Sequence, residues 1–311
     1  MSFESPKERQ VVESEHFKFF SKDIDYLIDF FSSLSKLTLY NGRIISFFSN
    51  VEHFSLSTEF IDSSVQTLKS IKLCCSIGSF SDANTLIRKF RDDLIQFVYI
   101  LNIINLRKPF VEESIQGLDF SNQDNFVNSF FNLQFNESLT DDEKALTAWF
   151  KNSVSESKKA IKKKLEFENY MAVLKQNENI KQILINYKLQ DYWEKLRIRL
   201  NNYVHNNGIE FSKHNFISLH NNNLDKYLKN ICIRTTYISS FFLVLLLMVD
   251  SSLISSTDYI DHLECDMQPP DNSQYLVAAF VQDFIDEKVS KLHPELKQYL
   301  IDNNIYGMRI E

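Results

Sequence analysis

Tyr-Ile-Ser-Ser-Phe-Phe-Leu-Val-Leu-Leu-Leu-Met-Val, residues 237–249, is the one strongly apolar block in this chain. A helix that is apolar on every side is buried, either in a protein core or in a membrane. The 13 residues before Asp250 fall short of the roughly 20 that span a bilayer. We therefore expect a helix within residues 221–251, entered at Asn223, that forms a buried centre or a dimer interface. Membrane insertion is the alternative.

The composition around this block favours helices. The chain has 311 residues but only five glycines and five prolines, against a usual glycine content of about 7%. A sheet-rich or doubly wound fold needs more of both residues for its tight turns. The sequence also lacks a glycine-rich phosphate loop, a dinucleotide fingerprint and a nucleophile elbow. These features predict an all-α helical bundle and exclude the enzyme classes that depend on those motifs.

Helical spacing and capping residues outline the other elements. We expect helices over residues 23–40, 58–75, 83–106, 190–207, 274–292 and 294–303. Capping boxes at Ser5-Pro6-Lys7-Glu8 and at Thr140 predict a short leading helix and a helix that runs to about Lys175. Residues 108–139 read as a loop or short helices, and residues 250–272 as a surface loop. This organisation predicts N-terminal accessory helices, residues 1–78, followed by one helical domain, residues 79–311, with an acidic C-terminal extension.

One segment concentrates groups that can do chemistry: Arg199-Leu200-Asn201-Asn202-Tyr203-Val204-His205. It ends a predicted helix that Gly208 stops. Arg199, Asn202 and His205 are spaced i, i+3 and i+6, which places them on one helix ridge over roughly 9 Å. A permanent cation, an amide and an imidazole that titrates near neutrality suit a phosphodiester substrate. The alternative is that Arg199 is a surface cation and that His205 interacts with the helix dipole.

An arginine followed by a histidine, with a polar residue between them in a late helix, resembles the HEPN superfamily. The resemblance covers about residues 80–250, and the chain departs from the family pattern in having Leu200 directly after Arg199. It implies an all-α fold that acts as a metal-independent ribonuclease of a phage-defence or toxin system, with an antitoxin or defence protein as a further partner. Other members of the superfamily are inactive, so a module that binds a partner protein or a nucleotide is the alternative.

The ribonuclease interpretation gives each residue of the motif a role. His205 acts as general base or acid at a ribose 2′-hydroxyl, and Arg199 stabilises the charge that grows on the phosphoryl oxygens. Asn202 or Asn201 holds the imidazole or the phosphate. The product is a 2′,3′-cyclic phosphate, which restricts the substrate to RNA.

The resemblance also implies a contribution from an early helix that packs beside the motif helix. On residues 83–106, Asp92 would then orient His205, or Arg88 would meet the scissile phosphate. Because Arg88 and Asp92 are spaced i and i+4, the alternative is a self-contained surface ion pair.

Charge is distributed unevenly along the chain. Residues 156–199 hold 11 basic against 6 acidic residues, whereas residues 250–311 hold 12 acidic against 4 basic. A net charge of −7 makes the protein a poor general nucleic-acid binder, yet a ribonuclease needs only a local basic channel. We expect that channel at Lys158, Lys159, Lys162 and Lys163. An ordinary solvated helix face is the alternative.

Cysteine and histidine spacing predicts neither a metal nor a cofactor. Cys74 and Cys75 are adjacent, which is poor geometry for a mutual disulfide or a shared metal, so we expect reduced thiols. His214, His220 and His262 lack a second close partner of the kind that metal sites have.

The first ten residues are polar and charged, unlike a signal peptide. The sequence therefore predicts a cytoplasmic protein.

A homodimer is expected from the chemistry of the motif. Cleavage of a phosphodiester uses a base for the attacking hydroxyl and an acid for the leaving oxygen. One motif supplies one imidazole, His205, so a two-fold axis beside the motif helix would supply the second. We expect the apolar run Phe241–Val249 to contribute to both core and interface.

Overall fold

A computed structural model describes residues 11–40, 45–49, 52–56, 58–216, 223–271 and 273–311. The capping box at Ser5-Pro6-Lys7-Glu8 and the ligand candidate His220 lie outside these residues. The chain divides into two compact units: Met1–Arg43, Thr58–Val98 and Lys175–Glu311 form the first, and Ile44–Ser57 and Tyr99–Leu174 form the second. The units do not follow the boundary predicted between residues 78 and 79, since segments from both sides of it belong to the first unit.

The described residues are mostly helical, and the prediction of an all-α bundle is confirmed. The elements in chain order are α1 (Glu15–Tyr40), β1 (Ile45–Ser49), β2 (Glu52–Leu56), α2 (Glu59–Ser76), α3 (Phe80–Leu106), α4 (Glu112–Gln116), α5 (Gln123–Phe131), α6 (Asp141–Phe150), α7 (Lys159–Lys164), α8 (Phe167–Leu174), α9 (Glu178–Asn186), α10 (Leu189–Val204), α11 (Ile209–Lys213), α12 (Leu224–Val249), α13 (Asp258–Glu264), α14 (Ala279–Phe284) and α15 (Leu296–Asn303). Short 3-10 turns cover Val154–Glu156, His214–Phe216, Ser251–Ile254 and Ser273–Tyr275. A π-helical turn, Ile285–Val289, directly follows α14.

Helix α12 is the centre of the first unit. It begins after Asn223, as predicted, and every residue from Tyr237 to Val249 is buried. The helix is 26 residues long, twice the apolar block, because residues 224–236 form its first half. By length and composition alone it could cross a membrane, but 78% of its most apolar 18-residue window is buried inside the protein. The apolar run Phe241–Val249 is therefore core within one chain, and the prediction that it also forms a dimer interface is wrong.

Helix α1 packs against both α2 and α12. Its buried stripe is the one that the spacing predicts: Leu27, Phe31, Leu34 and Leu37. The Phe31 ring lies 5.5 Å from the Phe90 ring and 5.7 Å from the Phe242 ring, measured between centroids. Each phenylalanine side chain that is fully buried in this way contributes roughly 1.5–3 kcal/mol to folding.

The second unit contains a hairpin that the sequence pattern did not reveal. Strands β1 and β2 are antiparallel, with Phe47 opposite Phe54, and the rings of both residues stack on Phe150 at 6.0 and 5.1 Å. The side chain of Arg107 holds this region together. It donates hydrogen bonds to the carbonyl oxygens of Phe48, Asn136 and Ser138 at 3.2, 2.6 and 2.9 Å.

Helix α6 begins where the sequence predicts but is shorter than predicted. Its capping box is formed as predicted: the backbone N–H of Thr140 donates to Glu143 Oε2 at 2.7 Å, and Thr140 Oγ1 accepts from the Glu143 N–H at 3.2 Å. The prediction that this helix continues to Lys175 is wrong. Asn152 adopts a φ of 54°, a left-handed conformation that cannot continue a helix, so α6 ends at Phe150.

We expect Arg107→Met to destabilise the protein by at least about 2 kcal/mol, because three carbonyl oxygens lose a charged donor. Only 5% of the Arg107 side chain is exposed, so water does not readily replace the lost bonds. Urea denaturation measures the change in the free energy of unfolding. Lys108→Met, at the exposed neighbouring position, is the control and should change it by less than about 0.5 kcal/mol. Equal effects of the two substitutions would contradict the role given to Arg107.

Candidate functional site

The predicted motif lies at the C-terminal end of α10. The helix ends at Val204, and His205 follows as its C-cap with φ −93° and ψ 3°. The side chains of Arg199 and His205 are exposed, and that of Asn202 is half-buried. Among the described residues, no hydrogen bond or ion pair joins these three side chains to one another. The three side chains thus lie near one another at the end of the helix but are not bonded to one another as a triad.

The two asparagines of the motif behave differently. The side-chain oxygen of Asn201 is buried and has no hydrogen-bond partner within the described residues. Asn202 Oδ1 accepts a hydrogen bond from Asn207 Nδ2 at 3.3 Å, at the outer rim of the helix end. Asn202 is therefore the better placed of the two to meet a ligand.

The guanidinium group of Arg199 lies over two aromatic rings. Its central carbon is 5.8 Å from the centre of the Tyr203 ring and 5.5 Å from that of Phe211. These are cation–π distances, and they hold a long side chain in place without neutralising it. Within the part of the chain that the structure describes, Arg199 has no carboxylate partner, so its charge remains available to an anion.

Beneath Arg199 lies a buried pair, Tyr203 and His214, that the sequence pattern does not predict. Tyr203 and His214 are 5% and 8% exposed, and the Tyr203 hydroxyl is 3.0 Å from His214 Nδ1. Burial lowers the pKa of His214, and the positive charges of Arg199 and Arg234 lower it further, against an opposing effect of Glu210. The imidazole is therefore neutral at pH 7.

A second arginine reaches the same tyrosine from α12. The central guanidinium carbon of Arg234 is 5.8 Å from the centre of the Tyr203 ring, and its Nη1 donates a hydrogen bond to Asn84 Oδ1. Burial lowers the pKa of Arg234, but an arginine stays charged at neutral pH. The sequence carries one signal for this residue: Arg234 is the last charged residue before fifteen uncharged ones.

The position of His214 is fixed by its neighbour Asn215, which caps α3. The Asn215 side-chain oxygen accepts hydrogen bonds from the backbone N–H groups of Ser81 and Asp82 at 2.9 and 3.2 Å, and from the Ser79 hydroxyl at 3.1 Å. A helix leaves its first N–H groups without partners inside the helix. Here a residue distant in sequence satisfies two of them and ties the 3-10 turn of His214 to α3.

The candidates on α3 form an ion cluster of their own. Asp92 Oδ1 accepts from Arg91 Nε and Nη2 at 2.8 and 2.6 Å, and Arg88 Nε lies 3.5 Å from Asp92 Oδ2. Burial raises the pKa of Asp92, while Arg91 opposes that rise. The structure thus forms the Arg88–Asp92 pair and adds Arg91 to it. No contact joins Asp92 to His205 among the described residues.

The predicted RNA-binding lysines lie in the second unit, whereas Arg199 and His205 lie in the first. All four are exposed, on and beside α7: Lys158, Lys159, Lys162 and Lys163. Lys162 Nζ donates to the Ser155 carbonyl oxygen at 2.6 Å. Their role in binding RNA stays a prediction.

Potential metal ligands are dispersed over the described part of the chain, where no group of three or more His, Cys, Asp or Glu side chains is placed to hold an ion. His214 bonds to Tyr203, and His262 Nδ1 lies 2.7 Å from the Asp258 carbonyl oxygen. Cys74, Cys75, Cys232 and Cys265 are all free thiols.

The chain was compared with protein-family models, with curated proteins and with solved structures, and none of them matches it. The fold places the chain in the all-α class.

We expect the stability contributed by His214 to depend on pH. Its folded-state pKa lies below the ordinary 6.5, so the unfolded chain binds the proton more tightly and acid favours unfolding. The contribution is complete above pH 6.5 and is lost as the pH falls through the folded-state value. Urea denaturation of the wild type and of His214→Phe should therefore give a difference in unfolding free energy that is largest near pH 7.5 and shrinks at pH 5.5. A difference that grows on acidification would show that the imidazole is charged in the folded protein.

Proposed function

We propose that the protein is a metal-independent endoribonuclease whose active site is the surface around Arg199 and His205. The observation that carries the proposal is the convergence of two guanidinium groups, those of Arg199 and Arg234, on Tyr203 beside a neutral imidazole. Neither guanidinium group forms an ion pair within the described residues, so the two cations can attract an anion, and a phosphate suits the planar fork of arginine.

Each layer of the site has a different task. Arg199 is exposed and takes the phosphate, where its charge stabilises the oxygens that become more negative in the transition state. Arg234 is largely buried and adds positive potential from below. The neutral His214 and Tyr203 form the floor that keeps Arg199 in position without giving it a counter-ion.

His205 supplies the proton transfer because its imidazole is exposed at the helix end. It removes the proton from a ribose 2′-hydroxyl, whose oxygen then attacks the neighbouring phosphorus. The bond to the 5′-oxygen breaks, and that oxygen takes up a proton from a second acid. The products are a 2′,3′-cyclic phosphate and a 5′-hydroxyl, and Asn202 orients the phosphate at the rim. Lys158, Lys159, Lys162 and Lys163, which belong to the second unit, bind RNA in this proposal through their own exposed charges.

The resemblance to the HEPN superfamily supports a cytoplasmic role in phage defence or as the toxin of a pair, with an antitoxin as partner. The second candidate function is a non-catalytic module that binds a partner protein or a nucleotide at the same arginines. One observation favours it: within the described residues, the His205 side chain has no hydrogen-bond partner that would orient it for catalysis.

Arg199→Ala and His205→Ala should each lower RNA cleavage by ~10²–10⁴-fold, because each removes a group that acts on the phosphodiester. Both side chains are exposed, so circular dichroism and thermal melting should be unchanged. Lys195→Ala, one helical turn before Arg199 and also exposed, is the matched control and should retain activity. Cleavage is measured on purified cellular RNA with EDTA present. The proposal fails if both variants cleave as fast as the wild type or if EDTA abolishes cleavage. If the wild type binds RNA without cutting it, the result favours the non-catalytic binding module.

The second acid can come from another copy of the chain, and exposed apolar side chains beside the motif offer an interface. Ile198 and Ile209, which flank Arg199 and His205 in sequence, are 56% and 76% exposed. We propose that these residues lie at a two-fold axis that brings two His205 side chains to one substrate.

Light scattering should give about twice the chain mass of 36.6 kDa for the wild type, and Ile209→Lys should halve the measured value and lower cleavage with it. Ile185→Lys is the control, because Ile185 on α9 is 61% exposed but lies outside the motif. A wild-type monomer at micromolar concentration that still cuts RNA would contradict the shared site, though not the roles of Arg199 and His205.

A further inference from the structure

A cavity of about 530 Å³ opens beside the first turn of α10. Its wall is largely apolar and aromatic, formed by Leu189, Tyr192, Ile233, Tyr237 and Leu292. A volume between about 300 and 1,000 Å³ with such a lining is typical of small-molecule sites. No residue of the Arg199 site lines it, so a ligand could occupy this cavity whether or not the protein cleaves RNA.

A second cavity of about 490 Å³ adjoins this one, and Asp23, Cys232 and Ile233 line both. The second cavity is lined further by Phe19, Phe20 and Leu228. On α12 the lining runs from Asp225 to Tyr237 at spacings of three and four residues, which is one face of a helix. Twelve residues of helix extend roughly 18 Å. The two adjoining cavities therefore lie one after the other along α12, and we call them together the trough.

Positive charge is concentrated at one end of the trough. Lys188, Lys288 and Lys291 line the first cavity, where Asp23 is the only acidic residue among those that line it. Among the described residues, none of these three lysines forms an ion pair. The Lys288 ammonium lies 4.8 Å from the centre of the Tyr26 ring, which holds the cation without neutralising it.

The other end of the trough has no such excess. Asp225 pairs there with Lys229 at 2.6 Å and with His16 at 3.1 Å. The two ends of the trough thus differ in charge. Three lysines that form no ion pair within the described residues line the first cavity beside the single carboxylate of Asp23, whereas Asp225, Lys229 and His16 at the second cavity are paired.

Two of the three lysines occupy unusual backbone positions. Lys188 has a φ of 54°, a left-handed conformation that few residues other than glycine adopt. Lys288 belongs to the π-helical turn Ile285–Val289. Such turns are rare in proteins overall, and many of those that occur lie at functional sites. Both irregularities bring a lysine to the same cavity.

We propose that this trough binds an amphipathic anion, a molecule with a linear apolar chain and a carboxylate or phosphate head. The head lies at Lys188, Lys288 and Lys291, and the chain follows α12 past Ile233 toward Leu228. A nucleotide has the anionic group but presents a polar base and sugar to walls that are mainly apolar, so its desolvated polar groups would lack partners.

Isothermal titration calorimetry on the full chain tests this with four probes used below their micelle concentrations: laurate, dodecyl phosphate, dodecyltrimethylammonium and AMP. We expect laurate, dodecyl phosphate or both to bind with a Kd at least tenfold lower than that of the cation of equal chain length. Which of the two anions binds more tightly identifies the head group. AMP should bind at least tenfold more weakly than the better anion.

Two variants locate the binding. The double substitution Lys288→Glu and Lys291→Glu should raise the Kd at least tenfold, and Ile233→Trp should abolish binding by filling the point where the cavities join. Ile233 is 54% exposed, so this change leaves the core intact. Lys195→Glu, an exposed lysine outside the trough, is the control. The proposal is overturned if no dodecyl anion binds the wild type, if the dodecyl cation or AMP binds as tightly, or if both variants bind as the wild type does.

Discussion

Burial of α12 is the constraint on which the rest of the first unit depends. A helix with thirteen consecutive buried residues from Tyr237 to Val249 must be surrounded by other elements, and α1, α9, α15 and the π-helical turn all pack on it. Its first half is more polar and emerges from this core. The candidate site and the trough both lie along that first half, where a buried helix begins to meet solvent.

Arg234 shows what this arrangement requires energetically. A guanidinium group that is largely removed from water has to be hydrogen-bonded, because an unpartnered buried charge costs several kcal/mol. Asn84 and Tyr203 provide the partners. Because His214 is neutral, it adds no further positive charge beside Arg234. This agrees with the lowered pKa of His214. Arg199 then lies over this assembly as the outer, solvent-facing cation.

The sequence allowed the prediction of features that depend on local spacing. The buried stripe of α1, the start of α12 at Asn223 and the capping box at Thr140 are of this kind, and so is the helical position of Arg199. The Tyr203–His214 pair was out of reach because the two residues belong to different elements, joined by a turn in which Gly208 adopts a φ of 140°. Such a φ strongly favours glycine. A turn at Gly208 was therefore predictable, but the contact between Tyr203 and His214 that results from it was not.

Tertiary pairings account for the other differences. Asn215 caps α3 across more than 130 residues, and no local pattern announces a cap of that kind. The β1–β2 hairpin is held by Phe150 and by Arg107, both distant in sequence. Low glycine content predicts helices correctly but says nothing about one short hairpin that packs on them.

The most direct measurement uses an oligonucleotide of DNA that contains a single ribonucleotide, incubated with the purified protein and analysed by mass spectrometry. If Arg199 and His205 act on a 2′-hydroxyl and its phosphate, the strand is cut only after the ribonucleotide, and the fragment carries a 2′,3′-cyclic phosphate. Cleavage of the matching all-DNA strand, or a product with an ordinary 3′-hydroxyl, would contradict the proposed chemistry.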